Sequence, residues 1–238
     1  MKLDILAFGA HPDDIELGCG ATIAKEVSLG KKVGIVDLTQ GELGTRGSAE
    51  LRIIEANNAA KILGVSVREN VGFADGFFIN DKKHQLEIIK MIRKYQPDIV
   101  LCNAIDDRHI DHGKGSKLVS DACFLSGLMK IETELEGKQQ EKWRPKHVYH
   151  YIQWKNIAPD FVIDVTGFIQ KKQASVLAYS SQFYDPNSKE PESPITSKTF
   201  KESINYRSRD LGRLIGVEYA EGFTSERYVA AENLSKLI

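Results

Sequence analysis

The sequence lacks most features that mark secreted, membrane-bound or nucleic-acid-binding proteins. Only three of its 238 residues are cysteines, and they are widely spaced, so a disulfide framework is not expected. Lysine and arginine total 32 against 33 aspartates and glutamates, a net charge of -1, which offers no electrostatic basis for binding nucleic acid or an acidic membrane. We therefore expect the partner to be a small molecule.

A long apolar run is also missing. The first apolar stretch, LDILAFGA, spans residues 3–10 and is soon followed by two aspartates. It is too short for a membrane span, and charge follows it too soon for a signal peptide. We expect a cytoplasmic protein that does not bind a membrane.

Apolar, β-branched runs alternate with longer stretches of helical period through the first two thirds of the chain. This alternation predicts βαβ units, and hence an α/β, Rossmann-like fold with a mostly parallel β-sheet flanked by helices. The strands are predicted at 3–10, 32–39, 67–71 and 98–104, and the helices at 15–30, 48–63 and 82–95.

The last third of the chain predicts a smaller C-terminal extension with one or two further strands. We expect helices at 113–128, 168–179 and 200–215, strands at 147–152 and 161–166, and irregular chain at 138–145, at 185–196 and after 215. No linker divides the chain, so a single domain over 1–238 is predicted. The later strands and the proline-rich loop suggest an interface between copies, and we expect a homo-oligomer.

Two short polar clusters each follow a predicted parallel strand. They are His-Pro-Asp-Asp at 11–14 and His-Ile-Asp-His at 109–112. Because ligands of open α/β sheets bind at the carboxyl ends of the strands, we expect these two loops to meet.

The two clusters together contain the donor set of a catalytic metal site. Such a site needs three ligands and one open position for water, and His11, Asp14 and His112 provide the ligands. The set suits Zn²⁺ and also resembles the facial triad that binds Fe²⁺, so both ions remain open. Asp13 is then free to act as general base toward the metal-activated water.

The second cluster also offers an acid. His109 is a candidate to stabilise the oxyanion or to protonate the leaving amine. Asp111 is expected to hydrogen-bond the His109 ring, raise its pKa and keep it protonated.

Simpler interpretations exist for each cluster taken alone. His-Pro-Asp-Asp is also a plausible turn in which an aspartate caps the following helix. His84, His147 and His150 are interpreted as structural, and the three cysteines as inert core residues. The metal hypothesis depends on both clusters occurring at strand ends.

At these residues the sequence resembles the PIG-L/LmbE family of zinc-dependent N-acetylglucosaminyl deacetylases. The similar blocks are AHPDD at 10–14, TQGELGTRGSAELRIIEANNAAKILGV at 39–65, and the His-x-Asp-His block. The resemblance implies zinc at His11, Asp14 and His112, a general base at Asp13, and His109 assisted by Asp111.

The resemblance also implies substrate-binding residues, with an N-acetyl amino sugar as substrate. Arg52 is expected to reach the substrate, since a guanidinium binds a carboxylate with two hydrogen bonds, although an Arg52–Glu55 pair on the helix surface is an equal alternative. Glu42, Arg108 and Arg46 are weaker candidates.

Within the family, the chain is most similar to the bacterial deacetylases of bacillithiol biosynthesis, which act on N-acetylglucosaminyl malate. Relatives in the mycothiol pathway have a tyrosine as oxyanion donor two residues before the first histidine of the third block. This chain has Asp107 there. An ionised aspartate cannot donate, so oxyanion assistance is assigned to His109 and the metal.

Several alternatives stay open. The substrate of a deacetylase with these motifs can be another N-acetyl sugar such as chitobiose, whereas a lipid-linked sugar is disfavoured because no amphipathic basic stretch is present. A nucleotide-binding module is disfavoured because FGAHPDD lacks the G-x-G-x-x-G pattern. The remaining alternative is a metal-binding protein without catalytic activity.

Overall fold

The centre of the protein is a seven-stranded, mostly parallel β-sheet with helices on both faces, seen in a computed structural model that describes residues 1–236. The strands are β1 (Ile5–Gly9), β2 (Val33–Thr39), β3 (Val67–Phe73), β4 (Ile99–Cys102), β5 (Glu134–Leu135), β6 (Lys138–Gln139), β7 (His147–Tyr151), β8 (Phe161–Asp164) and β9 (Ala220–Ser225). The helices are α1 (Asp14–Ser28), α2 (Ala49–Leu63), α3 (Lys82–Tyr95), α4 (Ile110–Leu125), α5 (Ile169–Leu177) and α6 (Lys198–Leu214), with a short 3-10 helix at Leu234–Lys236.

The strand order in the sheet is β3-β2-β1-β4-β7-β9-β8. Strands β1 to β4 and β7 run parallel, and β9 is antiparallel to both of its neighbours. The α/β prediction is confirmed. The single domain over 1–238 remains a prediction, and its last two residues lie outside the described ones.

Alternate residues of β1 explain why both faces of the sheet are covered. Ile5 and Ala7 belong to the apolar cluster that contains residues of α1, whereas Leu6 and Phe8 belong to the cluster that contains residues of α3 and α4. Successive side chains of a strand point to opposite faces, so a strand buried on both sides is apolar throughout.

Two predicted helices have well-formed ends. The Ser48 side chain accepts a hydrogen bond from the Leu51 backbone N–H at the start of α2, and Gly64 ends that helix in the left-handed conformation with a φ of 80°. Helix α3 begins after Asp81, whose carboxylate accepts from the His84 N–H. Local side-chain chemistry therefore sets these boundaries.

The predicted start of α4 at residue 113 was wrong, because the helix begins at Ile110 with His109 as its N-cap. Gly113 and Gly115 have low helix propensity and concealed the first turn. His109 is therefore the N-cap residue of α4, and His112 lies in its first turn.

Two strand assignments in the last third were also missed. Residues 220–225, expected to be irregular, form β9 between β7 and β8, and Lys138–Gln139 pairs with Glu134–Leu135 in a small hairpin. The sequence AEGFTS has a central glycine and little strand propensity. Hydrogen bonds from both neighbouring strands outweigh that weak local preference.

Candidate active site

The two polar clusters lie side by side because β1 and β4 are adjacent parallel strands. Ile5 pairs with Ile99 and Ala7 with Leu101, so both strands end at the same edge of the sheet. The Ala10 backbone N–H donates to Asn103 Oδ1 at 2.8 Å and joins the two loops directly.

The three predicted metal ligands come together at this edge. Asp14 lies between the two imidazoles, with His11 Nδ1 at 3.5 Å from Asp14 Oδ2 and His112 Nε2 at 3.1 Å from Asp14 Oδ1. The centroids of the two rings are 5.6 Å apart. All three side chains are buried.

The outward nitrogen of each imidazole contacts another carboxylate. His11 Nε2 lies 3.0 Å from Asp75 Oδ1, and His112 Nδ1 lies 2.6 Å from Asp107 Oδ2. Histidines that bind metals are held by such outer partners, which fix the ring orientation and the position of the proton. Both rings are thus oriented toward Asp14.

Amide groups fix the third ligand. Asp14 Oδ2 accepts from the His11 backbone N–H at 2.9 Å and from Asn103 Nδ2 at 2.9 Å. Gln153 Nε2 donates to Asp14 Oδ1 at 2.5 Å. The carboxylate is therefore held by three donors before any cation is considered.

The charges of this cluster fit a divalent cation. Burial alone would lower the pKa of His112, but Asp14 and Asp107 outweigh it and raise that pKa to about 9. Burial likewise opposes a rise for His11, yet its carboxylate neighbours raise its pKa well above the usual value. Protons thus neutralise the carboxylates around these rings, a role a cation fills when bound. Two imidazole nitrogens and one carboxylate suit zinc.

Two other donor sets overlap with the predicted one. The imidazoles of His11, His109 and His112 have nitrogens within 4.8 Å of one another, and so do donor atoms of His11, Asp75 and Asp111. Both sets include His11. The first set adds His109 to the nitrogen donors available to a metal.

Asp13 adopts a conformation that is rare for residues other than glycine. It occupies the N-cap position of α1 with a φ of 113°, but its side chain makes no capping hydrogen bond. Its carboxyl is buried, and burial raises its pKa to about 7 although Arg52 Nη1, 3.8 Å away, opposes the rise. Strained backbone of this kind is concentrated at functional sites.

The expected partnership between His109 and Asp111 is wrong. The Asp111 carboxylate accepts from the Gly76 backbone N–H and Lys114 Nζ, and lies 3.5 Å from His11 Nε2. Only the backbone N–H of Asp111 reaches the ring, donating to His109 Nδ1 at 3.2 Å.

The surroundings of the His109 imidazole favour its neutral form. Burial lowers its pKa, and the neighbouring His11 and His112 lower it further. Because Nδ1 accepts a hydrogen bond, the ring proton is on Nε2, and the residue is a neutral donor rather than the expected cation.

Asp107 has a role that the sequence did not indicate. Besides contacting His112, its carboxylate accepts from the backbone N–H groups of Trp154 and Lys155 at 3.2 and 2.9 Å. It therefore supports the metal-ligand candidates through His112. This is the position at which the mycothiol-pathway relatives have a tyrosine.

Sequence reasoning missed three further residues of the cluster. Asp75, Asn103 and Gln153 follow β3, β4 and β7, respectively, at the same edge of the sheet as the two histidine loops. The usable signal was a polar side chain directly after each predicted parallel strand.

Arg52 is buried beside the general-base candidate. It lies near Asp13 and also donates to the Gln182 side chain. The alternative of a surface pair with Glu55 is wrong, because Glu55 accepts hydrogen bonds from Ser180 and Ser181.

The weaker substrate-binding candidates differ in whether they line the cleft and in what they contact. Arg108 lines the cleft, with its guanidinium 4.6 Å from the ring centroid of Trp154. Glu42 instead accepts from the Asp75 backbone N–H and is not among the described residues that line the cleft. Arg46 lines the cleft, but it donates to the carbonyls of Glu190 and Pro191.

A cleft of about 590 Å³ opens over these residues. One wall comes from the loops at 11–14, 41–46 and 108–112, and the facing wall comes from 193–211 and the start of β9. The facing wall contains the apolar residues Ile195, Phe200, Ile204 and Leu211. The volume suits a ligand larger than one sugar ring.

Comparison with known proteins agrees with this architecture. The family model of the PIG-L family, described as GlcNAc-PI de-N-acetylase, matches residues 6–123. A conserved protein of Thermus thermophilus, known from its crystal structure, is 35% identical with a TM-score of 0.87, and the match covers 98% of both chains.

Two curated relatives are similar over different lengths. The uncharacterized deacetylase YaiS of Escherichia coli is 42% identical over 114 residues, 45% of this chain but only 61% of that protein. Diacetylchitobiose deacetylase of Thermococcus kodakarensis is 27% identical over 228 residues, 92% of this chain and 81% of that protein.

This chain belongs to the PIG-L family. Membership confirms the predicted class of enzyme, a hydrolase that acts on amides. Among the described residues, no helix is long and apolar enough to cross a membrane. The cytoplasmic location and the homo-oligomer stay predictions.

Proposed function

We propose that the protein is a zinc-dependent hydrolase that removes the acetyl group from an N-acetylglucosamine derivative. The observation that carries the proposal is the convergence of His11, Asp14 and His112 at one end of the cleft. Asp13 lies beside them, with its carboxyl buried and its pKa raised to about 7. A general base is most effective with a pKa near the working pH.

The proposal assigns His11, Asp14 and His112 as the residues that hold the metal. A zinc ion, when bound there, supplies an acidified water and polarises the amide carbonyl. The buried Asn103 and Gln153 keep the Asp14 carboxylate oriented, so the ligand does not have to reorganise.

Asp13 moves the proton in this mechanism. Its carboxylate takes a proton from the attacking water as the new C–O bond forms. It then delivers that proton to the nitrogen as the C–N bond breaks, giving acetate and a free amine. Arg52, 3.8 Å from Asp13 Oδ2, stabilises the ionised form between turnovers.

His109 assists from the other loop. Its neutral ring donates through Nε2–H to the carbonyl oxygen as negative charge develops there. The Asp111 backbone N–H keeps the ring in this tautomer. This assignment differs from the protonated histidine expected from the sequence, but it retains the oxyanion role.

The finer proposal is that the sugar carries malate as its aglycone, as in bacillithiol biosynthesis. The cleft exceeds the needs of one sugar ring, and Arg108 lies in its lining at an exposed position. Such a guanidinium can bind a carboxylate. Chitobiose and other N-acetyl sugars are the alternative substrates.

The proposal is tested by measuring acetate release from N-acetylglucosaminyl malate, diacetylchitobiose and methyl N-acetylglucosaminide. We expect release by the zinc-loaded protein, loss after chelation, and recovery when zinc is returned. Loading with Fe²⁺ in a parallel anaerobic sample decides between the two ions. Absence of acetate release from every sugar would refute the proposed function, and equal rates on all three would refute the malate assignment.

A further inference from the structure

The lining of the cleft contains two arginines that contact one tryptophan. Trp154 follows β7, and its ring stacks on Phe200 of α6 with the ring centroids 5.3 Å apart. Arg108 lies over the Trp154 ring, and Arg207 of α6 donates to the Trp154 backbone carbonyl. All four side chains line the cleft.

Arg207 is unusual among the arginines of the site because it is half-buried and its Nε has no partner in the part of the chain that the structure describes. Among the described residues, no aspartate or glutamate oxygen lies within 4.0 Å of the guanidinium nitrogens of Arg207 or Arg108. Arg207 is half-buried, and its Nε is fully buried without a hydrogen-bond partner among those residues. Burial lowers the pKa of Arg207, and the charge of Asp107 opposes that only in part.

A half-buried guanidinium that has one N–H group without a partner is costly for a folded protein. Guanidinium groups inside proteins are normally satisfied by carboxylates or carbonyls, and an unpaired buried donor destabilises the fold. Arg46, by contrast, donates to two backbone carbonyls. Among the described residues Arg207 donates only to the Trp154 carbonyl, and it lines the cleft, so its remaining N–H groups are donors that a ligand can satisfy.

The two arginines are linked to the catalytic end of the cleft by consecutive contacts. Asp107 contacts His112 at 2.6 Å and accepts from the Trp154 backbone N–H at 3.2 Å, and Trp154 in turn accepts from Arg207. Arg207 lines the same cleft as the three metal-ligand candidates.

We propose that Arg207, together with Arg108 and the face of Trp154, forms a subsite for a negatively charged substituent of the substrate, a carboxylate or a phosphate. The subsite lies beyond the sugar whose amide is cleaved, and Arg207 determines specificity there. This inference rests on the proposed function. A guanidinium forms two parallel hydrogen bonds with either anion, and Trp154 offers an apolar face to the adjoining carbon atoms.

The test compares three N-acetylglucosaminides that differ only in the aglycone, which carries a carboxylate, its neutral methyl ester, or a phosphate. In Arg207→Gln we expect kcat/KM on the carboxylate substrate to fall about 10- to 100-fold, chiefly through KM, because a charge-assisted hydrogen bond is lost. The methyl ester should be hydrolysed at an unchanged rate. Whether the carboxylate or the phosphate loses more identifies the anion.

The matched control is Arg209→Gln. Arg209 is exposed, lies two residues along the same helix over the Tyr219 ring, and does not line the cleft. We expect its kinetics to equal those of the unsubstituted protein. Arg207→Lys should recover part of the lost selectivity, because it restores the charge without the planar group. Equal losses on charged and neutral aglycones in Arg207→Gln would show a structural role and overturn the proposal, as would no loss.

Calorimetric binding separates this inference from the proposed function. The deacetylated carboxylate glucosaminide is titrated into the unsubstituted protein, Arg207→Gln and Arg108→Gln. Weaker binding in both variants, in a protein that hydrolyses no N-acetyl sugar, would refute the proposed function while supporting the anion subsite. Hydrolysis of an N-acetyl sugar, together with equal binding of the deacetylated compound by all three proteins, would support the proposed function and refute the anion subsite.

Discussion

The stretch matched by the family model, 6–123, and the later stretch 152–222 contribute to the same cleft in different ways. The earlier stretch supplies charged groups that mostly satisfy one another, as in the contacts of Asp14 with His11 and His112. The later stretch supplies apolar side chains and the guanidinium of Arg207, whose Nε has no hydrogen-bond partner among the described residues.

This difference indicates that most groups proposed for the reaction chemistry lie in the earlier stretch and most of the apolar cleft wall in the later one, with Gln153 and Arg108 as exceptions. A self-satisfied charged cluster requires fixed residue types at fixed spacing, since removing one partner leaves another buried charge unpaired. A cleft wall can change its side chains without that penalty. Substitutions in the earlier stretch should therefore alter kcat and metal affinity, and those in the later stretch should alter KM.

The largest effect is expected at Asp13. Asp13→Asn should reduce kcat about 10²- to 10⁴-fold, because it removes the general base. Asparagine tolerates the left-handed backbone at this position, so the fold should be kept. Zinc content, measured by mass spectrometry, should equal that of the unsubstituted protein. Unchanged kcat would contradict the role of Asp13 as general base.

A smaller effect is expected one contact away from the metal ligands. Asp107→Asn should weaken zinc binding roughly tenfold or more, because the imidazole of His112 loses its charged partner. Competition with a chromogenic chelator measures the affinity. The matched control is Asp106→Asn, which removes an exposed carboxylate paired with Lys155. Equal zinc affinity in both variants would show that Asp107 does not support the ligand.

A several-fold effect is expected in the later stretch. Phe200→Ala should raise KM by roughly 5-fold with kcat nearly unchanged, because it removes the ring that supports Trp154 in the cleft wall. Tyr206→Ala is the control, an exposed position on the same helix that does not line the cleft. A large fall in kcat for Phe200→Ala would contradict the expectation that substitutions in the later stretch alter KM.

The smallest effect concerns stability at His150, which lies just before the later stretch and contacts Cys102 of the earlier one. Burial lowers the pKa of His150, but Cys102, Glu226 and the Asn103 carbonyl outweigh it and raise the pKa to about 10. A histidine whose pKa is raised on folding stabilises the fold fully below its unfolded pKa of about 6.5 and loses that contribution as pH rises toward 10.

The difference in unfolding free energy between the unsubstituted protein and His150→Gln should accordingly narrow between pH 6 and pH 10. Urea unfolding followed by circular dichroism measures it. His147→Gln is the control, because burial and nearby Arg227 lower the pKa of His147. A constant difference across that range would show that the protonated ring of His150 does not stabilise the protein.

Much of the earlier stretch was predictable from sequence. Helix α3 was predicted at 82–95 and observed at Lys82–Tyr95, because Asp81 caps its start and Pro97 follows its end. The meeting of the loops at 11–14 and 109–112 followed from the rule that ligands bind at the carboxyl ends of parallel strands.

The later stretch was less predictable, for a physical reason. Strand β9 has weak strand propensity, and its place in the sheet depends on β7 and β8, which are distant in sequence. Arg207 is one arginine among several on an amphipathic helix. Its place in the cleft lining, its contact with Trp154 and an Nε without a partner among the described residues distinguish it.

The sequence by itself determined the α/β class, the order of strands and helices through α3, and the residue types gathered at the head of the cleft. These properties depend on local periodicity and on short-range spacing. The tertiary structure alone decided which carboxylate contacts which imidazole. Asp75 contacts His11 and Asp107 contacts His112, whereas only the backbone N–H of Asp111 reaches the His109 ring. Such pairings are made across strands far apart in the chain, where distance and burial, rather than sequence separation, set the interaction energy.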